Sequence, residues 1–257
     1  MRAVPLLLRQ VRYENRSFWR NPPAAFFTIV FPLMFLVIFN LVFSDRTVEV
    51  PGGEAGISTF YVPGIIALSV IGACYTNVAM GLSFSRDQGL LKRVRATPLP
   101  TWALLGGKIA HAVVIGILLV AVVSAAGTAL YDVAFPTRTL PAFALTLVIG
   151  SATFSALGLA VTSAIPNADA APAIVNASIL PLLFISDVFI PLDDAPAWLT
   201  AFSDLFPVRH FSLALQASFN PFEQGTGFEA QRLAVMAAWM VVSILIAIRF
   251  FRWESRR

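Results

Sequence analysis

Apolar residues run along this chain in blocks rather than in alternation. Six blocks approach the length of a membrane crossing: near 24–43, 60–84, 102–130, 140–164, 172–190 and 232–250. A helix rises about 1.5 Å per residue, so a hydrocarbon core about 30 Å thick takes about 20 apolar residues. Several blocks contain Pro or Gly, which a membrane helix tolerates where neighbours satisfy the freed backbone groups. The third block exceeds one span, so its start is expected along the membrane interface. The pattern predicts an all-α integral membrane protein with six transmembrane helices, in a single domain spanning 1–257.

Two stretches outside the blocks are patterned differently. Residues 4–20 place Arg9, Arg12, Arg16 and Arg20 at helical spacing on one face and Val4, Leu7, Leu8, Val11 and Phe18 on another. That is the pattern of an amphipathic helix lying among lipid headgroups, although the arginines would also serve merely to orient the first span. Asn21 to Pro23 then ends the helix and turns the chain into the membrane. Residues 191–231 are too polar to span and too apolar for a plain loop. Asp194 before Pro196 suits a helix start. Trp198, Leu199, Phe202, Leu205 and Phe206 follow at helical intervals, Pro207 interrupts, and a second helix is expected over about 208–219. This predicts a pair of short re-entrant helices in the outer leaflet, between spans five and six.

Composition strengthens the membrane reading. Hydrophobic residues make up 58% of the chain and charged residues 12%, against about 45–50% and about 25% in soluble domains. The single cysteine, Cys74, permits no internal disulfide and no cysteine metal cluster. The arginine-studded N-terminus does not read as a cleavable signal peptide. Of the 18 basic residues, fourteen fall within the first 23 residues, 85–108 and 249–257. With six spans those segments share one side, which predicts cytoplasmic termini and a multi-pass protein of the cell membrane. Nothing in the charge pattern calls for nucleic acid.

"SRDQGLLKRVRATPLP", residues 85–100, joins spans two and three on the cytoplasmic side. Gly89 permits a tight turn. Leu90, Leu91 and Val94 are expected on one face of a short helix, with Lys92, Arg93 and Arg95 around the rest and Pro98 and Pro100 ending it. Topology alone explains the charge. The apolar face between breakers also suits the docking of a soluble partner.

At this point the chain resembles the ABC-2 type permeases, the membrane subunits of ABC exporters. "RDQGLLKRVRATPLPTWALLGGK", 86–108, resembles that family's cytoplasmic signature, with Asp87 where Glu is usual and Leu90 where Thr is usual. "VFPLMFLVIF" and "ISDVFIPLDDAPAWLTAFSDLFPVRHF" resemble its other recurrent segments, with Asp187 where Gly is usual. The resemblance implies an exporter permease moving an amphiphilic drug-like, antibiotic-like or lipid-like cargo outward by alternating access. Lipid-linked glycan export and a non-transporting membrane scaffold or sensor are its rivals.

There is no G-x-x-x-x-G-K-[ST] stretch. The resemblance then implies ATP and Mg on a separate ATPase, in two copies, with a second copy of this chain completing the pathway. No cofactor is expected on this chain. The ATPase-coupling residues implied are Arg86, Asp87, Gly89, Leu90, Leu91, Arg93, Val94 and Arg95.

No catalytic constellation is visible, and His111 and His210 stand too far apart in sequence to make an obvious metal site. Within or beside the spans, Asn40, Asn77, Asn176 and Ser178 either line a cargo path or join helices by hydrogen bonds. Asp187 is an ionisable group at the end of a span, which is a functional candidate by default. Phe202 and Phe206 belong to an aromatic stripe expected near the cargo exit.

Overall fold

A computed structural model describes residues 3–96, 99–192 and 195–250, with main chain only at 3, 94, 95 and 101. Helices dominate. In chain order they are α1 (Ala3–Trp19), α2 (Pro22–Phe43), α3 (Ser58–Ile71), α4 (Asn77–Asp87), α5 (Leu90–Arg95), α6 (Thr101–Tyr131), α7 (Leu140–Val161), α8 (Ala171–Phe184), α9 (Ala197–Ser203), α10 (Pro207–Phe219) and α11 (Ala230–Phe250). A five-residue π-helical turn, Gly72–Thr76, joins α3 directly to α4.

Among the described residues, five helical runs are long and apolar enough to cross a membrane: α2, the continuous 58–87 run, α6 from Trp102, α7 and α11. The fifth apolar block forms a shorter helix than its composition predicts. α8 has 14 residues, about 21 Å at 1.5 Å per residue. It stops at Phe184 because the chain turns there. Asp187 adopts a left-handed conformation, φ 53°, and its carbonyl accepts hydrogen bonds from Ser212 Oγ and Gln216 Nε2, both at 2.7 Å. A continuing α8 would lose both bonds.

The all-helical expectation missed one element. Thr47–Val50 and Gly53–Gly56 form an antiparallel hairpin, β1 and β2. Val48 and Val50 alternate with polar Thr47 and Glu49, and Pro51-Gly52 supplies the turn, with Gly52 at φ 104°.

Both helix breaks expected from sequence occur. α1 ends before Asn21, whose side chain accepts from Ala24 N while Pro22 and Pro23 begin α2. Phe206–Pro207 separates α9 from α10. The expected helix start at Asp194 lies outside the described residues, and Pro196 is the residue that precedes α9.

α3 forms the centre of the core. Val62, Ile65, Ile66 and Val70 are fully shielded by α2, α6 and α10. α7 packs chiefly on α11, and α10 fills the space beside α3, with Phe211 edge-on to Phe154 at 5.3 Å. Side-chain bonds define two ends of the bundle. One gathers Glu14, Arg86, Lys108 and the 162–165 turn. The other gathers Pro51, Arg138, Thr139, Asp187, Leu192, Ser218, Asn220 and Gln224.

Candidate functional site

The quoted basic stretch forms a compact corner at the first end. Gly89 takes φ 70°, a left-handed conformation open to Gly at little cost, so the chain reverses directly from α4 into α5. Arg86 does not face solvent. It is 4% exposed, and its guanidinium donates to Thr162 O at 2.9 Å and to Ile165 O. Thr162 caps α7, at the negative pole of that helix, and Ile165 lies in the turn after it. Arg86 therefore braces the α4 corner against the α7–α8 turn. Asp87 and Arg93 are exposed.

Leu90 and Leu91 do not share a face. Consecutive helical residues are about 100° apart. Leu91 is 1% exposed while Leu90 is 36% exposed. Leu91 points into the chain, beside a recess of about 170 Å³ that Gln10, Tyr13, Leu104, Lys108 and the less buried Leu90 also line. Among the described side chains, Asp87, Leu90 and Arg93 are thus the sequence-derived coupling residues available for contact, and Leu91 anchors the corner. The side chains of Val94 and Arg95 lie outside the described residues.

α1 lies across α6 at the same end. A Cβ on Gly107 would sit 2.2 Å from Gln10 Cγ, so the crossing depends on that residue having no side chain. Glu14 pairs with Lys108 at 3.2 Å and accepts from Gln10 Nε2 at 2.9 Å. "GGK" at 106–108 is therefore a helix-crossing device, not a phosphate loop. Between α1, the start of α2, α4 and α6 lies a cleft of about 510 Å³, whose walls include Asn77 but neither Asn40 nor Asn176.

Asn40 is buried, but its Nδ2 donates back to Leu36 O within α2, so it joins no helices. Asn176 is exposed on α8. Ser178 does join elements: its Oγ donates to Val175 O and meets the Tyr75 hydroxyl at 2.5 Å.

At the opposite end Asp187 is a hub. It is 5% exposed. One carboxylate oxygen accepts from Leu192 N at 2.9 Å, the other from Arg209 Nε at 2.7 Å. Arg209 Nη1 reaches Asp204 at 2.7 Å. Burial pushes the Arg209 value down, but the bonds and charges of Asp187 and Asp204 outweigh it, and the net shift is upward. The left-handed φ explains why Gly suits position 187, and Asp is among the residues that tolerate it. His210 Nε2 lies 2.8 Å from Asp204 O, a structural contact. Phe202 and Phe206 meet at 5.2 Å, and Phe206 stacks on Trp239 of α11. Phe202 is half exposed.

Sequence reasoning missed the densest aromatic cluster. Phe35, Phe39 and Phe43 recur every fourth residue of α2 and meet Tyr61 and Phe189; Phe39 stacks on Tyr61 at 4.9 Å. Phe39, Phe43, Tyr61 and Phe189 border a cavity of about 740 Å³ that Arg46 and Glu49 also line. The four-residue spacing was the available signal. Among the described residues no three His, Cys, Asp or Glu side chains are placed to hold a metal.

The family model for the ABC-2 type transporter matches residues 6–220, covering the corner, α1–α8 and the helix pair α9–α10. This chain belongs to the ABC-2 type transporter family. It is 28% identical over 198 residues to "Inner membrane transport permease YadH" of Escherichia coli, a match covering 75% of each chain. It is 27% identical over 153 residues to "Probable multidrug ABC transporter permease YbhR" of Escherichia coli, a match covering 60% of this chain but only 41% of YbhR. As an ABC-2 family chain it is a multi-pass membrane protein, and its relatives are named as transport permeases rather than enzymes.

Proposed function

We propose that this chain is the membrane subunit of an ATP-driven exporter, working as a pair of copies above two separate ATPase subunits that carry the ATP and Mg. The observation that carries the reading is the corner at 86–96. Arg86 and Leu91 fix it rigidly to the bundle, while Leu90 and Arg93 are exposed. A rigidly mounted helix transmits a partner's motion; a loosely mounted one absorbs it. On this reading α5 is the coupling helix, both termini and the corner are cytoplasmic, and α1 is interfacial. α8 completes a sixth crossing together with the turn after it, and α9 and α10 are re-entrant on the outer side.

Cargo is amphiphilic. The YbhR name and the aromatic cavity beside α2 support a drug-like or lipid-like molecule that rings can stack upon. Phe202 and Phe206 stand near its exit and Asp187 holds the outer turn in shape. The test is co-purification of a co-expressed candidate ATPase subunit with this chain, with ATP hydrolysis measured in lipid. Leu90→Asp is expected to abolish co-purification while the permease still inserts. Retention of the ATPase by that variant at the wild-type level would remove α5 as the coupling element. Single cysteines at Asp87 and Thr226, in a Cys74→Ser background, are expected to label from opposite sides.

A further inference from the structure

The cleft between α1, α2, α4 and α6 borders the corner and is separate from the aromatic cavity beside α2. At about 510 Å³ it falls within the range of small-molecule sites, about 300–1,000 Å³. Its two parts differ in chemistry. At the corner end stand Glu14, Lys108 and Gln88; one and two helical turns along from Lys108 and Gln88 the walls are Ala112, Ile115, Phe84 and Met80. That is the shape of an amphiphile's site, with a polar head at one end and an apolar tail at the other.

The rim also selects among heads. Glu14 and Lys108 are 3.2 Å apart, and their side chains are 13% and 14% exposed. An anionic head meets the ammonium but is repelled by the carboxylate; a cationic head meets the reverse. A head carrying both charges matches both, because desolvated like charges oppose binding as strongly as unlike charges favour it. Two further groups face the cleft. His111 lies one helical turn from Lys108, and its buried Nδ1 has no hydrogen-bond partner. Asn77 exposes its carboxamide, and no described residue hydrogen-bonds to that side chain. Such groups suit the carbonyls that link a lipid's head to its tail.

We infer that this cleft binds one zwitterionic phospholipid-like amphiphile, its head at Glu14 and Lys108 and a tail between α4 and α6. The site stands whether that molecule is resident lipid or cargo.

The probe pair is phosphatidylethanolamine and phosphatidylglycerol of identical acyl chains, added to the purified full chain in mild detergent and counted by native mass spectrometry. One phosphatidylethanolamine per chain is expected, retained over phosphatidylglycerol. Gly81→Leu plugs the cleft, and a side chain there has open space, with nothing within 4 Å of its Cβ. It is expected to lower retention at least tenfold at an unchanged unfolding temperature. Asn77→Leu is expected to weaken binding severalfold without altering head preference, and Glu14→Gln to shift preference toward phosphatidylglycerol. Equal retention by wild type and Gly81→Leu, or of both lipids by wild type, overturns the proposal. ATP-dependent movement of a fluorescent phosphatidylethanolamine by the ATPase-bound complex marks cargo; binding without movement marks resident lipid. Both outcomes keep the site.

Discussion

Arg86 and Arg209 sit at opposite ends of the bundle, and each fastens a turn. Arg86 grips main-chain carbonyls where α7 ends; Arg209 grips the carboxylates of Asp187 and Asp204. The first is a charge placed at a helix's negative pole. The second is a chain of charges in which each member holds the next. Removing one partner of a buried ion pair leaves the other charge stranded, whereas a main-chain carbonyl that loses its donor leaves only a polar group to be satisfied. The Asp187 turn is thus the more brittle fastening. The Arg86 corner has a second hold in Leu91.

The comparison can be broken in order of expected effect. Arg209→Met strands Asp187 and is expected to cost about 3–5 kcal/mol, read as loss of stability in denaturant titrations in detergent. Asp187→Gly is expected to be milder than Asp187→Ala by about 1–2 kcal/mol, because glycine relieves the left-handed backbone. Arg86→Met is expected to cost about 2–3 kcal/mol. If it equals Arg209→Met in the same titration, the difference between the two fastenings vanishes.

Leu91→Ala leaves a cavity in the corner and is expected to cost about 2 kcal/mol. Leu90→Ala, one residue away, is expected to stay within about 0.5 kcal/mol. Tyr75→Phe removes the bond to Ser178 and is expected to cost about 1 kcal/mol. Arg209 also bears on pH. Its value is raised on folding, so its contribution is complete below the ordinary arginine value and is lost only as pH rises through the folded one. The charge on Arg209 is therefore constant across the physiological range.

Hydrophobic blocks made most of the fold legible, because a membrane crossing needs a long apolar run whatever its neighbours are. The end of α8 was not legible. Residues 185–190 are as apolar as the helix before them, and what stops it is a hydrogen-bond network to Ser212 and Gln216 far along the chain. The hairpin at 47–56 is short and polar, and its alternation covers only four residues per strand. The corner at 86–96 was legible as a helix between a glycine turn and prolines, but which leucine faced outward was not. Helical spacing separates Leu90 from Leu91 by about 100°, and only packing against α1 and α6 decides the direction. Arg86 reads in sequence like the basic residues around it, because burial of one charge among several depends on a turn some 80 residues away. The α2 phenylalanines recur every fourth residue, a periodic signal that polar path residues do not carry.

The π-helical turn at Gly72–Thr76 sets an angular phase between two halves of one membrane crossing. A π turn winds in one residue more than the α-helical repeat, and one residue of α-helix is about 100° of rotation. α3 is therefore clocked to face α6 and α10, and α4 to face α7 and α8. Deleting one residue from 72–76 would restore an unbroken α-helix of nearly the same length and hydropathy, one that still spans. Yet it would swing Arg86 about 100° away from Thr162, leaving a membrane protein that inserts normally with its two ends out of phase.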